Sequence, residues 1–338
     1  MRASFAEVAR QANIRVHHCP GGGANPFPFI ANLRALIRQH GPYDAVHSHI
    51  HLYSAFAAVA ARLEGVPVRI AHSHNVVGNE NASFHRRAYL GFARLLLKIF
   101  STHRMAPASL ALEDMVGPGW KTDPLCMLMP CGISLEPLTA PVPDSARRAA
   151  LGLSDEDFVI VTVGRLTEQK NSEFMVEILG QMLRVKPQTR LVMVGEGPLK
   201  EKLRARAEAG GYGDRLVLAG LRSDVPHLLR GIADLFLFPS PPPPLGNEAL
   251  PIAVVEAQAC GLPVVISDGI TREAVVVENQ VLQLLASDSA QSWADAILKF
   301  AATHKPDIGR AQVAFAHSQF NIEQNLQLLR RLYEQALP

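Results

Sequence analysis

Alternation between two kinds of segment limits the fold of this chain more than any single motif does. Short apolar, β-rich runs ("IRVHHC", "DAVHSH", "VRIAHS", "HRMAPA", "CMLMP", then "FVIVTVG", "RLVMVG", "RLVLAG", "LFLFPS", "PVVIS") are separated by longer stretches with helical spacing. Such a series predicts parallel sheets with crossover helices, an α/β architecture. Pro137, Pro141 and Pro143 in "EPLTAPVPDS" interrupt any regular element and place a domain boundary between the two strand series.

Composition narrows the function. A chain of 338 residues that is 48% apolar can bury the cores of two domains, and 33 Lys and Arg against 31 Asp and Glu give no large excess charge that would point to nucleic acid. Cys19, Cys126, Cys131 and Cys260 show no C-x-x-C spacing and read as reduced thiols. With no signal peptide in "MRASFAEVARQAN" and no apolar run of the roughly 18 residues a spanning helix needs, a cytoplasmic location is expected.

In parallel α/β sheets ligands sit beyond the C-terminal ends of strands, where helix N-termini also point. "GRLTEQKN" follows the strand "FVIVTV" and puts Gly164, Arg165 and Lys170 at that end, where two cations can hold a diphosphate or form a solvated loop pair. "LFLFPS" is followed by "PSPPPPLG", expected as a stiff extended loop, and then by "NEALPIAVVE". Pro251 suits the first turn of a helix, so Glu248 stands before that helix and Glu256 about five residues inside it, roughly 8 Å along the axis. A phosphate accepting from the backbone around Leu250, Pro251 and Ile252 would leave an attached ribose within reach of Glu256. As a plain helix cap and a surface residue, Glu248 is well placed and Glu256 is not, because "AVVEAQAC" reads as buried.

Two metal readings are weaker. "DED" at 155–157 lies at the wrong end of its strand for a D-x-D metal site and reads as a surface turn. His47, His49 and His51 alternate along one extended face, but three ligands on one strand make poor tetrahedral geometry, and acceptor hydrogen bonding suits them better than zinc. His74 and Asn75 line the same region or cap the next helix. Arg87, Arg94 and Lys98 form a basic helical stripe that fits either a lipid-linked acceptor at a membrane surface or an ordinary solvated face.

The ordered set "GRLTEQK", "VGEGPLKEKL", "LAGLRSDVPHLL", "LFLFPS" and "EALPIAVVEAQACGLPVV", joined by "VHSHI" and "RIAHSHN", resembles the retaining nucleotide-sugar glycosyltransferases of the GT-B fold, family four, and among them bacterial capsular and exopolysaccharide enzymes. The resemblance implies two Rossmann-like domains facing a cleft: 1–136 on the acceptor side, 137–317 for the nucleotide sugar, and a helix over 318–338 crossing back. It implies that Arg165 and Lys170 bind the donor diphosphate, Glu256 the ribose, Glu248 the transferred sugar, and that His72 lies near that sugar. Ala249 stands where the family usually has glycine, and "PCGIS" replaces its P-N-G-I-D.

The implied activity moves a hexose from a UDP- or GDP-type sugar to a glycan or lipid-linked acceptor with retention, in surface polysaccharide synthesis at the inner face of the membrane. No metal or other cofactor is expected, because cations and a helix N-terminus can stabilise the leaving diphosphate. A sugar-nucleotide epimerase of GT-B architecture and a non-catalytic nucleotide-sugar-binding subunit remain as alternatives. "FAEVARQANI" reads as a short helix where the fold opens on a strand and a glycine turn, and "CPGGGANPF" reads as a connector. The first domain is therefore expected to lack its opening strand, with about 60 residues upstream of an internal start or of a degraded gene.

Overall fold

The computed structural model describes residues 9–21, 25–77, 83–139, 145–246 and 248–334, the side chains of 139 and 145–147 excepted. The chain divides into two α/β units, Met1–Met129 with Leu326–Pro338, and Pro130–Asn325.

In the first unit, strands β1 (Ala45–Ser48), β2 (Val68–His72), β3 (His103–Ala106) and β4 (Cys126–Leu128) form a parallel sheet in the order β1-β2-β3-β4. Val68, Ile70, Met105 and Met129 pack with Leu332 of the C-terminal helix, Ile322–Glu334. That helix has apolar residues at Leu328, Leu329, Leu332 and Tyr333, a spacing that turns one stripe onto this core. It joins the first unit from Leu326 onward.

In the second unit, β5 (Phe158–Val163), β6 (Thr189–Val194), β7 (Leu216–Gly220), β8 (Leu235–Phe238), β9 (Val264–Ser267) and β10 (Val281–Leu284) make a parallel sheet in the order β10-β9-β8-β5-β6-β7. The strand order reverses between β5 and β8, so the loops leaving these two strands lie side by side. All four residues of β8 are buried and β5 is buried up to Val163. This is what a strand covered by helices on both faces requires.

The structure departs from the sequence-based expectation at several points. "IRVHHC" forms no strand: His17 instead stacks on His40 at the end of the Phe27–His40 helix, 4.0 Å between ring centroids. β10 was not expected, since its burial is only partial and no turn residue marks its start. The units part at Pro130, ahead of the proline-rich stretch from Pro137, because Ile133 makes a parallel bridge with Asn321 inside the second unit. The start of "FAEVARQANI", Gly22 and Gly23 of "CPGGGANPF" and the prolines at 141 and 143 lie outside the described residues. In "DED", Asp157 is buried, accepts from the Ser154 backbone N–H at 2.8 Å and pairs with Arg190 at 3.2 Å, so this end of β5 is bound up in structural contacts.

Candidate functional site

The loop after β5 is held at its ligand end by glycine contacts. A Cβ on Gly195 (φ +144) would fall 1.9 Å from the Gly164 carbonyl oxygen, and one on Gly197 would fall 2.3 Å from that of Leu166. Only glycine admits this approach. Leu166 also donates its N–H to the Glu196 carbonyl at 3.0 Å. "VGEGP" thus shapes "GRLTEQK" from the neighbouring strand. Beyond it Asn171 takes a left-handed conformation (φ 55), and its side-chain amide donates to the Pro239 carbonyl at 3.2 Å. Ser240 donates to the Gln169 carbonyl at 2.6 Å, tying the β5 and β8 loops together.

The proline segment is a folded turn and not the extended loop expected from its composition. Gly246 donates to the Pro242 carbonyl at 3.1 Å, and a Cβ on it would lie 1.7 Å from the Pro241 oxygen. The turn delivers Glu248 to Lys170. The two form a half-buried ion pair, Gln169 donates to the same carboxylate oxygen at 3.2 Å, and the ammonium sits 4.8 Å from the centre of the Phe238 ring. Arg165 is exposed and reaches Gln169 at 3.4 Å. Gly164, Arg165 and Lys170 therefore line one small pocket beyond β5, with Glu248 paired to Lys170.

The helix spans Ile252–Ala259, with Pro251 as its N-cap (ψ 108) and not its first-turn residue. Ala249, Leu250 and Pro251 are buried, which fixes the entry to the helix. Gln258, whose role the sequence did not reveal, anchors the helix by donating to Val254 and Ala274 and accepting from the N–H groups of Val276 and Val277. Glu256 is half-buried and, among the described residues, its carboxylate has no hydrogen-bond or ion-pair partner. Burial raises its pKa above the ordinary 4.5. A desolvated acceptor of this kind invites hydroxyl donors.

In the first unit, β1 and β2 pair with His47 opposite Ile70 and Ser48 opposite Ala71, so His47, His49, His72 and His74 fall on one face of the sheet. The rings stack: His47 on His49 at 4.1 Å and His72 on His74 at 4.3 Å. His47 Nε2 lies 3.2 Å from His72 Nδ1, and His49 Nδ1 lies 2.8 Å from His74 Nε2. Burial above all, then the neighbouring histidines, lowers the pKa of His47 to about 4. Burial, followed by His74, His47 and His49, takes His72 to about 3 against the opposing influence of the Met129 backbone. These imidazoles are neutral at neutral pH. His51 leaves the row expected from alternation: it starts a short 3-10 turn at φ 52 and binds Asp114 at 3.1 Å. His74 pairs with His49 and the Asn75 carbonyl accepts from the Ser73 hydroxyl at 3.0 Å, while Ser83 caps the next helix.

Comparison with known proteins identifies the family. The family described as "Glycosyl transferases group 1" matches residues 144–307, and the "Glycosyl transferase 4-like domain" matches residues 2–127. A Bacillus subtilis (strain 168) protein named as glycosyltransferase EpsF is 32% identical over 322 residues, 94% of this chain and 82% of that protein. An Escherichia coli UDP-Gal:alpha-D-GlcNAc-diphosphoundecaprenol alpha-1,3-galactosyltransferase is 30% identical over 234 residues, 67% of this chain and 58% of that enzyme. The solved structure of Anabaena Alr3699/HepE in complex with UDP superposes with a TM-score of 0.80 at 20% identity, covering 98% of this chain and 89% of that one. The chain belongs to the group 1 glycosyltransferases, enzymes of the GT-B fold that act on nucleotide sugars.

Proposed function

We propose that the chain moves a hexose from a nucleoside diphosphate sugar, of UDP or GDP type, to a glycan or lipid-linked acceptor, with retention at the anomeric carbon and no metal on the donor. The observation that carries this reading is the second-unit constellation of Lys170, Glu248 and the Ile252–Ala259 helix, with Glu256 lacking a partner among the described residues. Breaking a sugar–phosphate bond puts negative charge on the leaving diphosphate. Arg165, Lys170 and the first-turn N–H groups would stabilise it. Lys170 turning to the diphosphate would release Glu248 to the transferred sugar, and Glu256 would take the ribose hydroxyls. His72 is the first-unit residue we assign to the sugar. We place the work of the chain in surface polysaccharide synthesis on the cytoplasmic side of the membrane, consistent with the named relatives.

The test is a transfer assay across UDP- and GDP-sugars in excess EDTA, with the anomeric configuration of the product read by NMR. Turnover should persist, and the product should keep the donor's configuration. Activity lost to EDTA and restored by manganese or magnesium would overturn the metal-free reading, and isomerised donor without acceptor would indicate an epimerase.

Peripheral membrane contact rests on the Phe84–Phe100 helix. Phe84, Phe92, Leu95 and Ile99 are exposed (81%, 54%, 53% and 60%), beside exposed Arg86, Arg87 and Lys98. Arg94 does not continue the basic stripe, because it turns inward to donate to the Asp114 carbonyl at 2.8 Å. No helix among the described residues is long and apolar enough to cross a membrane. Co-sedimentation with anionic vesicles is expected to fall as salt rises. Absence of binding at low salt would dismiss this contact.

A further inference from the structure

The histidines of β1 and β2 have a chemistry that sugar transfer does not use. Pairing of the two strands brings one ligand nitrogen each from His47, His49 and His72 within 4.8 Å of one another. Four-coordinate zinc, with Zn–N near 2.0–2.1 Å, spaces its ligand atoms about 3.4 Å apart. The His47 Nε2 to His72 Nδ1 separation of 3.2 Å is already of that size. The sequence objection, three ligands on a single strand, no longer holds, since His72 comes from β2 and His51 is not in the set.

Two of the three ligands, His47 and His49, also have their outer nitrogens engaged as a metal site needs. His47 Nδ1 lies 2.7 Å from the Tyr333 hydroxyl, and His49 Nδ1 lies 2.8 Å from His74 Nε2. On both residues this leaves Nε2 for an ion, with the ring oriented by a hydrogen bond on its far side. Tyr333 is itself fixed, packed with Leu328, Leu329 and Leu332 on the first-unit core. An all-imidazole set without carboxylate suits zinc, copper or nickel and is a poor match for magnesium, calcium or manganese.

We propose that His47, His49 and His72 form a zinc-class metal site, with Tyr333 and His74 as its outer shell, and that a bound ion inhibits transfer by occupying His72. The binding half stands on the side-chain geometry alone. The inhibitory half rests on the role assigned to His72 under the proposed function.

The experiment uses the full chain, stripped with chelator and desalted, then titrated with cobalt(II) as a spectroscopic probe and with zinc in competition. Binding of about one ion per chain should give the visible absorption of four-coordinate cobalt, displaced by zinc. His49→Asn should abolish the signal, and Tyr333→Phe should weaken affinity by about tenfold. Circular dichroism of each variant confirms that the fold is kept. Absence of cobalt or zinc binding, or binding unchanged in His49→Asn, overturns the site. Transfer is then measured with and without zinc, and the ratio should be large in the parent and close to one in His49→Asn. Zinc bound at the site with no slowing of transfer overturns the inhibitory half and argues against His72 acting on the sugar, while leaving the donor site untouched.

Discussion

Replacing Lys170 by alanine is expected to weaken nucleoside diphosphate binding by about tenfold or more and to slow transfer at least as much. A charge-assisted contact to phosphate is worth roughly 1.5–3 kcal/mol, and every 1.4 kcal/mol is about tenfold. Lys170 should matter more than Arg165. Its ammonium is half-buried between Glu248 and the Phe238 ring, where screening is weak, whereas Arg165 is exposed. Removing Lys170 also leaves the Glu248 carboxylate with Gln169 as its one partner among the described residues, so the variant should be checked by thermal melting before its kinetics are read. Donor affinity and transfer rate both unchanged in Lys170→Ala would remove the lysine from the donor site.

Glu256→Gln should act in opposite directions on nucleotide affinity and on stability. Burial raises the carboxyl pKa in the folded chain above its ordinary 4.5, so the protonated form is the one the fold favours. Its contribution to stability is therefore fully present below the unfolded value and is lost as pH rises through the raised folded one. Above the raised folded pKa the ionised group is a cost, and there the glutamine variant should melt higher than the parent. Nucleotide binding should weaken, because a carboxylate can accept from both ribose hydroxyls and the amide replaces one acceptor with a donor. In the parent, affinity should fall as pH drops through the raised pKa, and the variant should lack this dependence. Equal affinity of the parent for ribo- and 2′-deoxyribonucleotides would sink the ribose assignment, whatever the melting result.

Much of the second unit was legible because its signals are local. Buried strands such as "FVIVTV" and "LFLF", the glycine-bearing loop after β5 and the proline before a helix each show within a few residues. The contacts that assemble the site are not local. Lys170 meets Glu248 across 78 positions, and the "GRL" loop takes its shape from Gly195 and Gly197 on the next strand. Composition indicated a stiff proline segment but not its direction, which depends on Gly246 closing against Pro241 and Pro242. The histidine cluster was hidden for another reason. Alternation along β1 correctly put His47 and His49 on one face, but strand register, which no single segment encodes, decided that His72 would join them and His51 would not. A helix over 318–338 was implied by the family resemblance, and Ile322–Glu334 is helical, whereas Tyr333 reaching His47 was not legible.

The proposed function rests on the second unit gripping a donor through its diphosphate. Calorimetric titration of UDP and UMP, and of GDP and GMP, into the parent chain and Lys170→Ala in EDTA tests it most directly. The account predicts that one diphosphate binds the parent about tenfold or more tighter than its monophosphate, and that the advantage largely disappears in the variant. Equal affinity of the parent for mono- and diphosphate, or a diphosphate advantage that survives intact in Lys170→Ala, would contradict it.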